Sequence, residues 1–67
     1  MVKLYLICRD CKAIEHVGFG DYDVDSDTLK VEEKDVSVSS IIEFLVKHRY
    51  HDVSLVTEWT ADAEYML

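Results

Sequence analysis

Two short runs in this chain are made of residues suited to metal chemistry: "CRDC" at residues 8 to 11 and "HRYH" at residues 48 to 51. Thiolate sulfur and imidazole nitrogen are ligands zinc prefers, and structural zinc takes four of them in a closed tetrahedron. There is no second C-x-x-C in the chain, so the cysteines supply only half of such a set. His48 and His51 are spaced i and i+3; on a helix these positions share a face, and their imidazoles can converge. A tight turn after two cysteines aims two sulfurs at one point in the same way. Cys8, Cys11, His48 and His51 are therefore predicted to hold one structural zinc ion per chain. Between Cys11 and His48 lie 36 residues, where a DNA-reading zinc finger has about 12, so the set is not such a finger. Two other readings stay open. A thioredoxin-type redox pair wants a parallel-sheet scaffold and a helix starting at the first cysteine. The plainer one is two reduced thiols near two histidines with no metal. His16 is a spare ligand candidate.

Acidic side chains form the second concentration. Asp21, Asp23, Asp25, Asp27, Glu32, Glu33 and Asp35 are half of the 14 acidic residues of the chain. In "DYDVDSD" they take every second place, which strand geometry turns into a row of carboxylates on one side with Tyr22 and Val24 on the other. Asp21 to Asp27 and Glu32 also fall on the odd positions and the closing position of a calcium-binding EF-hand loop. However, Ser26 stands where that loop needs Gly, and Gly18 and Gly20 deny it an entering helix. Acids on a strand can instead imitate the charge of DNA. Alternate strand residues are roughly 6.6 Å apart against roughly 3.4 Å per phosphate, so imitation needs two rows, from a hairpin of "DYDVD" with "LKVEE" or from two subunits. The plainest use of such a row is a solvated edge strand that resists aggregation.

Positioning these groups takes a small set of elements. "VKLYLI" reads as a strand with Val2, Leu4 and Leu6 on one face and Tyr5 and Ile7 on the other. "CRDC" makes a turn, and "KAIEHVGF" returns as a strand ending at Gly18 and Gly20, with a single helical turn as the alternative. Val38, Ile41, Ile42, Leu45 and Val46 form an apolar stripe at helical spacing, capped by Ser37, which predicts a helix over residues 38–49 lying stripe-down on the sheet. "DVSLVTEW" reads as a closing strand with Val53, Leu55 and Val56 inward, and residues 59–67 as a short tail, helical and capped by Thr60. The expected class is α+β: a single domain over 1–67, a small antiparallel sheet of three or four strands, and one amphipathic helix packed on one face.

Composition limits the function. The chain has 67 residues, 49% hydrophobic, so it is expected to fold as one small domain that benefits from a staple. No apolar run approaches the roughly 20 residues of a membrane span, and Asp10 breaks the opening run, which points to a cytoplasmic protein. A formal net charge of -7 opposes direct binding to nucleic acid or anionic membrane and favours a basic protein surface. No serine–histidine–aspartate order or phosphate-binding glycine loop emerges, so no enzyme activity is expected.

"YLICRDCKAIEHVG" followed by "IIEFLVKHRYHDVSLVTE" resembles a group of small phage and bacterial proteins that pair a strand-turn C-x-x-C with a helix ending H-x-G-H and a closing strand. The likeness covers the first 17 residues and about Ser40 to Glu58, and leaves out the acidic middle. It implies a zinc site at Cys8, Cys11, His48 and His51. Tyr50 stands where that group usually has Gly, a residue that permits a left-handed helix cap. In type rather than in motif, a small acidic chain of this kind is similar to the bacteriophage host-takeover proteins that occupy the DNA sites of basic nucleoid proteins such as HU. That likeness implies an inhibitor that mimics DNA charge in the bacterial host cytoplasm, using Asp21 to Asp35 and pairing with a second copy to offer two acidic rows. The alternative expectation is a zinc-stabilised adaptor that binds a protein through an apolar patch around Trp59 and Tyr65.

Overall fold

A computed structural model of the chain describes residues 1–65, the side chain of Tyr65 apart. In chain order the elements are β1 (Val2–Cys8), β2 (Ala13–Asp23), β3 (Thr28–Lys30), a 3-10 turn (Glu33–Asp35), α1 (Val38–Lys47), β4 (Val53–Thr57) and α2 (Glu58–Tyr65). The strands form one antiparallel sheet in the order β3-β2-β1-β4, so the α+β class and the four-stranded sheet stand as expected.

Alternation along β1 builds the core. Val2, Leu4, Leu6 and Cys8 point to one face, where they cluster with Val17 and Phe44. Ile7 points to the other face and is also fully buried. That second face is covered by α2, which lies against β1 and β4 and buries Ala61. Its ends are tied down: Glu58 accepts a hydrogen bond from the Lys3 N–H at 3.3 Å, and Glu64 pairs with Arg9 at 3.3 Å. The sheet is thus covered by a helix on each face. The sequence predicts one packed helix and a short helical tail capped by Thr60, whereas α2 starts two residues earlier, at Glu58, and packs on the sheet.

Three further expectations are corrected. β2 does not end at Gly18 and Gly20 but runs through both to Asp23. Gly18 is needed for close approach: a Cβ there would overlap the carbonyl oxygen of Asp35 and lie 2.6 Å from the Cα of Val36, which bridges to Gly18 across the strand edge. In β4, Leu55 is exposed rather than inward, while Val53 and Val56 are half-buried.

The largest correction concerns α1. Its cap is as read, with the Ser37 side chain accepting from the Ser40 N–H, but its apolar stripe does not face the sheet. Val38, Ile42, Leu45 and Val46 are 42–55% exposed, Ile41 is half-buried, and the residue driven into the core is Phe44, 4% exposed. Phe44 and His48 are one turn apart and share a face, with ring centroids 4.4 Å apart. Turning His48 toward Cys8 therefore turns Phe44 inward and swings the aliphatic stripe sideways. The face that goes inward is the one that carries Phe44 and, one turn on, His48.

Candidate metal centre

The C-x-x-C lies in the β1–β2 turn. Cys8 is the last residue of β1 and is fully buried, Cys11 is exposed in the turn, and Lys12 takes a left-handed backbone, φ 56°, that sends the chain back into β2. No helix starts at Cys8, so the scaffold of a thioredoxin-type pair is lacking at this turn.

The histidines reach the same point by a different route from the one expected. α1 ends at Lys47 and His48 is its C-cap, so the two histidines do not share a helical face. His51 lies in the turn beyond, brought back by a hydrogen bond from its N–H to the His48 carbonyl at 3.0 Å and by the left-handed backbone of Tyr50, φ 69°. Tyr50 thus adopts the conformation that glycine would take most readily.

These two turns are stitched together by backbone. The Arg9 N–H donates to the Asp52 carbonyl at 3.0 Å, and the Asp52 N–H donates to Asp10 Oδ2 at 2.9 Å. The Arg9 guanidinium adds contacts to Ser54, Asp52 and Glu64. Sequence reasoning missed Arg9, Asp10 and Asp52 as supports of the site. The one available signal was their place inside or beside the two ligand runs.

The result is a compact donor set. One ligand atom from each of Cys8, Cys11, His48 and His51 lies within 4.8 Å of all the others. His51 Nδ1 is 3.3 Å from Cys11 Sγ and 3.6 Å from Cys8 Sγ. A tetrahedral zinc site with bonds of about 2.0–2.3 Å separates neighbouring ligand atoms by roughly 3.3–3.8 Å, so the two edges from His51 to the sulfurs already have that length. His48 Nδ1 is buried without a hydrogen-bond partner. A buried polar nitrogen left so is costly, and a cation at the cluster offers this imidazole what the protein withholds. Two thiols and two imidazoles so arranged can hold a metal ion.

The Cys11 thiol is pushed up chiefly by its hydrogen bond with Cys8, with the negative charge of Cys8 and Asp10 adding to it, so metal uptake would have to displace its proton. The spare candidate His16 lies elsewhere: it contacts the Gly18 carbonyl at 3.0 Å and packs between Tyr5 and Phe19.

The acidic segment divides into parts. Asp21 and Asp23 sit on β2 opposite Lys30 and Thr28 of β3, Asp25 and Asp27 lie in the turn, and Glu32, Glu33 and Asp35 fall beyond β3. The row of alternating carboxylates breaks at Asp23 because the strand ends there, and no second acidic strand faces it. Asp27, at φ 52°, accepts a hydrogen bond from the Tyr22 hydroxyl, which pushes the Tyr22 pKa up. Among the described residues, the cysteine–histidine cluster is the one group gathered closely enough to hold a metal ion; Asp21, Asp23, Asp25, Asp27 and Glu32 do not gather as a calcium loop would. Trp59 is exposed and packs edge-on against Tyr22, ring centroids 5.6 Å apart. The side chain of Tyr65 lies outside the described residues. No described helix is long and apolar enough to cross a membrane.

Compared with protein-family models, with curated proteins and with solved structures, the chain matches none. The phage and bacterial likeness therefore has no support beyond the donor set itself.

Proposed function

We propose that this chain is a zinc-stapled protein-binding module whose acidic edge engages a basic, nucleic-acid-binding protein and competes with DNA for it. Two thiolates and two imidazoles are a zinc donor set, and four protein ligands complete a tetrahedral shell with no position left for substrate. The metal's task is to hold the fold, not to catalyse. Elemental analysis of the purified chain is expected to give one zinc per chain, lost in Cys8→Ser. A metal-free chain that melts at the same temperature with and without chelator would refute the staple.

The observation that carries the binding reading is an uncompensated charge. Asp21, Asp23, Asp25 and Asp27 are all exposed, and none is in an ion pair among the described residues. They occupy the β2–β3 end of the sheet, with Lys30 opposite Asp21, on a chain of net charge -7. Replacing the four with Asn keeps their shape and removes their charge. Affinity for a basic partner is expected to fall at least tenfold in that variant and to weaken with salt in the native chain. Unchanged affinity would remove the reading.

A second reading has its own observation. Tyr22, Leu29, Leu55 and Trp59 line an open cleft of about 450 Å³, the kind of apolar surface a zinc-stabilised adaptor would use. It predicts salt-insensitive binding that is lost in Trp59→Ala.

A further inference from the structure

The cleft beside Trp59 has walls of mixed chemistry. The β2–β3 hairpin contributes Tyr22, Asp27 and Leu29, the β4–α2 junction contributes Leu55, Trp59 and Thr60, and the volume between them is about 450 Å³. That size suits a small ligand or a long side chain with its flanking backbone. Asp27 is the one charged residue in the lining. Lys30, the basic residue nearest to it in sequence, lines a neighbouring cleft with Asp21 and Asp23 instead. The ion pairs among the described residues join Arg9 to Asp52 and Glu64 and Lys34 to Glu32, so Asp27 faces the cleft without a cation from its own chain.

Three kinds of surface meet there. The Tyr22 hydroxyl donates to Asp27 Oδ1, which holds the carboxylate beside the ring and leaves Oδ2 to accept from a ligand. The Tyr22 and Trp59 rings stand 74° apart with centroids at 5.6 Å, two walls of a corner, and Trp59 is 54% exposed. An aromatic face is electron-rich and attracts a cation, indole most strongly. Leu29 and Leu55 add aliphatic surface, on which the methylene stem of a long basic side chain can lie while its charged head stays among polar groups. Arginine answers all three: its guanidinium is flat, stacks on aromatic rings and bonds a carboxylate through N–H groups. The compact, strongly hydrated ammonium of lysine stacks less well.

We propose that this cleft takes an arginine side chain of a protein partner, with the guanidinium on the Trp59 ring and bonded to Asp27, and the methylenes on Leu29 and Leu55. The proposal rests on the binding reading above for the basic character of the partner, and names the side chain that anchors it. Charge selects the occupant. A chain of net charge -7 with Asp21, Asp23 and Asp25 exposed on the same hairpin draws basic segments and repels acidic ones. An uncharged apolar segment would cover Asp27 without supplying a counter-charge, which is costly.

The chain has a single tryptophan, and its indole N–H signal in NMR spectra reports on the cleft alone. The full chain is titrated with a short blocked peptide holding one arginine, with the same peptide holding lysine, and with one holding citrulline, which keeps the shape of arginine and loses its charge. The arginine peptide is expected to shift the Trp59 signal to saturation, and citrulline to bind roughly tenfold more weakly. Asp27→Asn is expected to weaken the arginine peptide by a similar factor. Asparagine tolerates the left-handed backbone at this position, φ 52°, and its amide oxygen can still accept from Tyr22, so this variant keeps its fold. Asp25→Asn, in the same turn but outside the lining, is expected to cost less than about threefold. Trp59→Ala, followed through the methyl signals of Leu29 and Leu55, is expected to abolish saturation. Citrulline binding as tightly as arginine would make the cleft a merely apolar site, and lysine binding as tightly would remove the stacked guanidinium; either overturns the proposal. Equal losses from Asp25→Asn and Asp27→Asn with an unmoved Trp59 signal would overturn it too, while leaving the acidic-edge reading in place. Saturation of the cleft by a chain that fails to compete with DNA for a basic protein would do the reverse, supporting the arginine site and removing the competition.

Discussion

Tyr50 bears a conformational cost in the turn that presents His51. Its left-handed backbone, φ 69°, costs an L-residue roughly 1–2 kcal/mol, and its side chain, 98% exposed, recovers nothing by packing. Tyr50→Gly is expected to raise stability by about 1 kcal/mol and the melting temperature by a few degrees, less whatever glycine adds to unfolded-state entropy. A lower melting temperature would show that the tyrosine ring contributes something its exposure hides. Tyr22 gives a pH test. Its hydroxyl donates to Asp27, which raises its pKa. A raised pKa means that this hydrogen bond adds stability below the ordinary tyrosine value of 10.0 and loses it as pH climbs through the folded value. Tyrosinate absorbance in the native chain is expected to include one residue ionising late, moved back toward the ordinary range by Asp27→Ala, which removes the largest cause. An unchanged titration in that variant would leave the shift without its cause. Both ligand runs were readable from sequence because metal binding demands particular atoms at short spacing. Asp10 and Asp52 were not, since an aspartate that bonds a backbone N–H has the same letter as one that faces solvent.

At the scale of elements, α1 carries the main discrepancy between pattern and packing. Helical periodicity located the helix to within two residues of its end, but periodicity reports only that an apolar stripe exists. The rotation of α1 is the one that buries Phe44 in the core and brings His48 to the cysteines, and both partners lie outside the helix. The alternation in β1 was legible in full, because a strand with both faces covered has only two ways to point. Phe44→Ala is accordingly expected to cost roughly 3–5 kcal/mol, comparable to the whole stability of a small domain. Leu45→Asp, at a position 46% exposed, is expected to stay folded with a change of at most about 1 kcal/mol. Thermal melts of the two variants check the rotation directly: a severe loss from Leu45→Asp and a mild one from Phe44→Ala would reverse it.

For the whole molecule, a metal ion held by the cluster would join the first hairpin to the turn that follows α1. Its cysteine ligands come from the first hairpin and its histidines from beyond α1. The 36 residues between Cys11 and His48 form a loop that such an ion would close, a long-range constraint the small core would otherwise have to supply. Zinc sites of this class contribute roughly 10–16 kcal/mol of apparent binding energy near neutral pH, against a net stability of roughly 3–10 kcal/mol for a chain of this length. Adding a strong chelator is expected to abolish the cooperative thermal transition, and returning zinc to restore it. A transition that persists in chelator would mean that β1, α1 and α2 suffice. The burial of the ligands is uneven, and that has a kinetic side. Cys8 is enclosed, whereas Cys11 and His51 lie open to solvent, so a competing ligand could take hold of a bound ion from one side before the protein had let go on the other. A metal held tightly at equilibrium would then exchange by handover rather than by spontaneous escape, at a rate set by the concentration of the acceptor.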